Sequence, residues 1–145
     1  MLKDKTFALS FAVLLALATV HHLGIALHFY YTIPSLDLVT HFLGGLWVAL
    51  IILWLIFRSG YVQMISFSEK NVMLVTLVSI LVVGVLWELF ELWAGIIIKD
   101  GYVLDTALDG AMDVLGALVG FYLFVSIKKT APPSGGAVGP ISLSQ

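Results

Sequence analysis

Long apolar runs alternate with short polar stretches along this chain. Four runs reach the roughly 20 residues that a helix needs to cross the hydrocarbon of a bilayer. They cover about residues 6–31, 38–57, 72–98 and 106–127. Within the runs, polar and small residues recur at helical rather than strand spacing. A helix advances about 100° per residue, so residues three, four or seven apart share a face. Asp105, Asp109 and Asp113 are four apart, and Gly116 and Gly120 continue that face. Asp37 and His41 fall on one face with Gly44 and Gly45, and Glu88 and Glu91 on one side with Gly84 and Gly95. His21 and His28, seven apart, share a face of the first run. The pattern predicts an all-α, polytopic integral membrane protein, a bundle of four transmembrane helices forming one domain over residues 1–129.

The connections carry the expected punctuation. Pro34 breaks the first joint, and Asp37 is a start signal for the second helix. Ser68, ahead of Glu69 and Asn71, predicts a helix cap. Asp105 reads equally as a cap of the fourth helix or as a member of its polar stripe. Residues 130–145 hold Pro, Gly and Ser without charge and read as a disordered tail.

Composition supports lipid as the solvent. The 145 residues are 61% hydrophobic and 11% charged, against about 25% charged in a soluble domain. A net charge of -2 gives no argument for a nucleic-acid partner. The absence of cysteine removes disulfides, thiolate metal sites and cysteine nucleophiles.

Lys and Arg set the expected orientation. Lys3, Lys5, Arg58, Lys70, Lys128 and Lys129 fall on one side of the membrane, and Lys99 on the other. Both termini are therefore expected to be cytoplasmic, in a multi-pass protein of the cell membrane. Lys3, Lys5, an apolar core and Ala16-Leu17-Ala18 also match a cleavable signal peptide. The apolar stretch continues to Ile33, beyond the ~7–15 residues of a signal core, so a retained span is expected.

With that orientation, His21, His28, Asp37, His41, Glu88, Glu91, Asp105, Asp109 and Asp113 all fall in the outer half of the bundle. An ionisable side chain in hydrocarbon costs about 2.5–3.5 kcal/mol on insertion scales, and such groups usually face a bundle interior and serve function. Clustered carboxylates raise one another's pKa and need protons, a cationic histidine or a divalent ion. Mixed carboxylate and imidazole donors suit Zn, Mn or Fe; carboxylate and water suit Mg or Ca. His41, Glu88, Asp109 and Asp113 are the candidate ligands and Glu91 the candidate catalytic base. His21, His28, Asp37 and Asp105 complete the expected polar cluster. The bland alternatives are interfacial placement for His28, capping for Asp37 and Asp105, and a purely structural network for the rest. No phosphate loop, nucleophile elbow or HExxH is present, and the CDP-alcohol transferase signature is incomplete.

The motifs Asp37-x-x-x-His41-Phe42, Glu88-x-x-Glu91 and Asp109-x-x-x-Asp113-x-x-Gly116-Ala117-x-x-Gly120 resemble those of the VanZ-like and YjdF-like small polytopic membrane proteins. The likeness covers about Asp37 to Gly120. Asp113 and Glu91 stand where the VanZ-like pattern has Asn and Gln, which brings the chain closer to the YjdF-like branch. The resemblance implies a four-helix membrane protein, matching positions at Asp37, His41, Glu88, Asp109 and Asp113, and an association with the outer envelope surface.

Three functions remain open from the sequence. The first is a divalent-metal site hydrolysing or transferring a group on a lipid or lipid-linked headgroup. The second is a proton- or cation-coupled transporter or channel subunit, for which 145 residues leave little room without assembly into homo-oligomers. The third is a structural partner subunit.

Overall fold

The computed structural model describes residues 4–33, 35–62, 65–95 and 102–130. Among the described residues five helices follow in order: α1 (Lys5–Ala26), α2 (Phe29–Thr32), α3 (Ser35–Phe57), α4 (Glu69–Ala94) and α5 (Tyr102–Thr130). No strand occurs among the described residues, and α1, α3, α4 and α5 are long and apolar enough to cross a membrane. The shortest, α1, has 22 residues, about 33 Å at 1.5 Å per residue, which exceeds a hydrocarbon core of about 30 Å.

Each boundary has a local cause. Asp4 caps α1: its Oδ1 accepts from the backbone N–H of Thr6 at 2.9 Å and of Phe7 at 3.2 Å. The other oxygen, Oδ2, accepts from Arg58 Nε at 2.7 Å, which ties the start of α1 to the end of α3. Burial on its own would raise the Asp4 carboxyl, but the Arg58 guanidinium and the two cap N–H groups hold it below its ordinary value. Ser68 caps α4 as its position predicts, its Oγ accepting from Asn71 N–H at 3.1 Å.

Several boundaries move from the sequence reading. The second and third spans begin at Ser35 and Glu69 rather than near 38 and 72, so Asp37 lies within the first turn of α3 and does not precede it. The first span, read as continuing to residue 31, ends at Ala26; His28 then adopts φ 57° and turns the chain into α2. Histidine is among the few non-glycine residues enriched in that left-handed region. The third span ends at Ala94, with Gly95 at φ 69° as its left-handed cap. The fourth begins at Tyr102 rather than near 106, so Asp105 lies in the first turn of α5 and is not its cap. Its charge there opposes the positive helix end. Residues 96–98, which the hydropathy pattern puts in the third span, and the tail from 131 lie outside the described residues.

Helix α3 is the centre of the bundle. Half of its spanning window (50%) is buried, against 17% for α1, 17% for α4 and 28% for α5. It meets α5 along glycines. A Cβ on Gly45 would collide with the Asp113 carbonyl, and one on Gly116 with the Phe42 carbonyl. A Cβ on Gly120 would sit 2.8 Å from that of Ala49. Lipid gives no hydrophobic drive between helices, so close van der Waals packing at small residues supplies the attraction. Val48, Ala49, Ile80 and Ala117 form one apolar layer. Leu53, Val72, Phe124 and Val125 form the next, toward the end that holds Arg58, Glu69 and Lys129. There Lys129 Nζ lies 3.0 Å from Glu69 Oε1, and Phe67 packs its ring on Phe57 and Phe124 at 5.9 Å and 6.5 Å.

Candidate functional site

The glycine-lined crossing of α3 and α5 sets the site. Because Gly45 lets α5 approach to backbone contact, Asp109 and Asp113 are carried against His41, one turn earlier on α3. Asp109 and His41 are buried, at 3% and 8% exposure. The imidazole lies between two carboxylates. Nε2 is 3.8 Å from Asp109 Oδ1 and Nδ1 is 3.4 Å from Asp113 Oδ1. Asp37, one turn before His41, brings a third donor: single ligand atoms of Asp37, His41 and Asp109 all lie within 4.8 Å of one another. Two ionised carboxylates at that separation would repel by about 3.5 kcal/mol at an effective dielectric of ~20. Asp109 Oδ1 is buried and receives no hydrogen bond.

Asp113 fits because its neighbours are glycines. A Cβ on Gly44 would stand 4.0 Å from Asp113 Oδ1, and one on Gly84 of α4 would stand 3.5 Å from Oδ2. Farther along α4 the two glutamates have partners. Glu88 Oε2 accepts from Thr106 Oγ1 of α5 at 2.8 Å. Glu91 Oε1 accepts from the Trp87 indole N–H at 2.8 Å, and the Trp87 ring presents its edge to His41 at 6.4 Å between centroids.

The sequence candidates are thus sorted. Asp37, His41 and Asp109 form the group with metal-ligand spacing. Asp113 stands on the opposite ring nitrogen, and Glu88 lies outside the group, bonded to Thr106. The two ring nitrogens point in divergent directions, with Asp109 on the Nε2 side and Asp113 on the Nδ1 side. Asp105, His21 and His28 are exposed. His21 Nδ1 pairs with the Tyr30 hydroxyl at 2.8 Å, and His28 forms the turn after α1. Thr106, Trp87 and Tyr30 were missed by sequence reasoning. The spacing of four between Trp87 and Glu91 was available as a signal; the other two pairings cross between helices and leave none.

Tyr30 reaches the same end of α3. Burial pushes its phenol above the ordinary value, the Asp37 charge adds to the rise, and the Thr40 hydroxyl opposes it. Thr40 Oγ1 in turn donates to the Asp37 carbonyl at 2.8 Å, with Asp37 Oδ1 at 3.5 Å.

These features define a multi-pass helical membrane protein with a histidine and an aspartate, His41 and Asp109, buried between its central helix and its last. The chain belongs to the family described as Predicted membrane protein (DUF2238), whose model matches residues 4–130. That match speaks to the membrane class and not to the VanZ-like or YjdF-like resemblance. No curated protein and no solved structure matches the chain.

Proposed function

We propose that Asp37, His41 and Asp109 hold a divalent cation, and that the site acts on the headgroup of a lipid or lipid-linked substrate by hydrolysis or group transfer. One observation carries this: the buried Asp109 Oδ1 has no hydrogen-bond donor and faces Nε2 of His41, with Asp37 in reach. A buried carboxylate oxygen without a partner is costly, and a cation would satisfy it. Asp113 on Nδ1 then fixes the tautomer that leaves Nε2 free, the carboxylate–histidine–metal arrangement common in metalloproteins. Three protein ligands leave coordination positions open, as in catalytic rather than structural sites. A bound cation supplies a water of lowered pKa and polarises a phosphoryl oxygen.

Glu91 is the proton acceptor in this reading, with its carboxylate steadied by Trp87. In hydrolysis, the water oxygen bonds to phosphorus as the bond to the leaving oxygen breaks. The water's proton passes to Glu91 and from there to the leaving group. Lys and Arg at the opposite end favour an outward-facing site with cytoplasmic termini, and the VanZ-like and YjdF-like likeness agrees with an envelope substrate. A through-path for protons or cations has less support, because Leu53, Val72, Phe124 and Val125 pack together below the site.

Elemental mass spectrometry of the protein purified in detergent tests the proposal, on wild type beside Asp109→Ala and His41→Ala. About one divalent ion per chain is expected in wild type, with loss from both variants. Wild type that stays metal-free after incubation with Zn, Mn, Fe, Mg and Ca overturns the reading and leaves a structural network.

A further inference from the structure

The first helix contributes no donor to the candidate group, yet it is built to receive one side chain that reaches the group. Between His21 and Ala26, Gly24 alone is buried. The ring of Tyr30 covers it: a Cβ on Gly24 would stand 2.6 Å from Tyr30 Cε2 and 2.9 Å from Leu36 Cδ2. The left-handed turn at His28 makes this possible by folding α2 back along α1. Phe29, Tyr31 and Thr32 are exposed, whereas Tyr30 is half-buried, with its hydroxyl held by His21 at 2.8 Å. Leu36 of α3 meets the same spot on Gly24, the Thr40 hydroxyl bears on the Tyr30 phenol, and Thr40 Oγ1 donates to the Asp37 carbonyl.

We propose that Tyr30 is a positioning residue that pins the outer end of α1 to the first turns of α3 and so holds Asp37 within reach of His41 and Asp109. The pin has three parts. Gly24 makes room for the ring, His21 fixes the hydroxyl, and Leu36 and Thr40 carry the constraint to Asp37. A left-handed non-glycine residue persists where surrounding contacts over-determine it, and the Tyr30 seat supplies such contacts for His28. The functional meaning rests on the cation reading; the pin itself does not.

The test has one readout for each. The chain lacks cysteine, so Asp37→Cys gives a single thiol whose labelling by a membrane-impermeant maleimide reports the packing of that turn. In Gly24→Val and Tyr30→Ala backgrounds the labelling rate is expected to rise about tenfold, the change that losing local packing worth one hydrogen bond or more produces. Leu104→Cys, exposed on α5, should label at the same rate in all backgrounds, which separates a lost pin from a lost fold. With Asp37 retained, Mn2+ binding is followed by electron paramagnetic resonance. Tyr30→Phe and His21→Ala should weaken affinity about three- to tenfold at unchanged stoichiometry, and His21→Gln should restore it. Asp109→Ala should abolish binding. If the Asp37→Cys thiol labels in the Gly24→Val background within about twofold of its parent rate, well short of that tenfold rise, the pin is overturned. Unchanged Mn2+ affinity in Tyr30→Phe overturns the positioning role. Wild type that binds no Mn2+ defeats the cation reading, while the labelling rates still decide the pin.

Discussion

Gly44 and Gly45 are adjacent in sequence, and alanine at each should give opposite results. At Gly45 the added methyl would overlap the carbonyl oxygen of Asp113 and lie 2.7 Å from its C and 2.9 Å from its Cα. Those atoms are helix backbone and cannot rotate away. Carbon atoms pack at about 3.5–4.0 Å, so α5 must move off α3 by about 1 Å. A gap of 0.5–1 Å forfeits a quarter to a half of the dispersion energy of the contacts it opens. The tightest crossing in the bundle would bear that loss, giving a cost of about 2–3 kcal/mol, in the range measured for overpacked cores. At Gly44 the methyl would stand 4.0 Å from Asp113 Oδ1 with nothing nearer, and alanine is the better helix former by about 1 kcal/mol. Gly44→Ala should therefore be neutral or mildly stabilising. Reversible unfolding in mixed micelles measures both. Because a shift of about 1 Å carries Asp109 and Asp113 away from His41, Gly45→Ala should also weaken Mn2+ binding, while Gly44→Ala should not. Equal stability of the two variants would refute the close crossing on which the site geometry depends.

Other outcomes follow from named contacts. Asp4→Ala removes both the cap of α1 and the Arg58 pair, and should cost about 1 kcal/mol in the same unfolding assay. Since the folded Asp4 carboxyl lies below its ordinary 3.8, its contribution is complete above about pH 4 and is lost as pH falls through the folded value. The wild-type advantage over Asp4→Ala should therefore shrink only in acid. Thr106→Val leaves Glu88 Oε2 without its donor and should cost about 1 kcal/mol, with Thr106→Ser restoring most of it. Gly110→Ala meets no atom within 4 Å and should stabilise α5 by up to about 1 kcal/mol; a loss instead would place an unseen neighbour on that face.

The sequence by itself determined the four membrane helices, and which residues of each share a face. Run length sets the first and the 3.6-residue period sets the second. From these came the Asp37–His41 pair, the Asp109–Asp113 pair and the glycines beside them. Helical periodicity fixes angles only within one helix. How α3 is rotated against α5, and how far α4 stands from both, depends on side-chain fit between them, which no single stripe encodes. Only the tertiary structure therefore decided that Asp109 and Asp113 take opposite nitrogens of one imidazole, that Asp37 comes within reach of His41 and Asp109 while Glu88 pairs with Thr106, and that α3 lies at the centre. It likewise turned the first helix aside at His28, so that His21 meets Tyr30 instead of the carboxylates. A left-handed turn inside an unbroken apolar run is invisible to hydropathy, because mean apolarity does not register whether the Tyr30 ring, two residues past the turn, fits back onto Gly24 of the preceding helix.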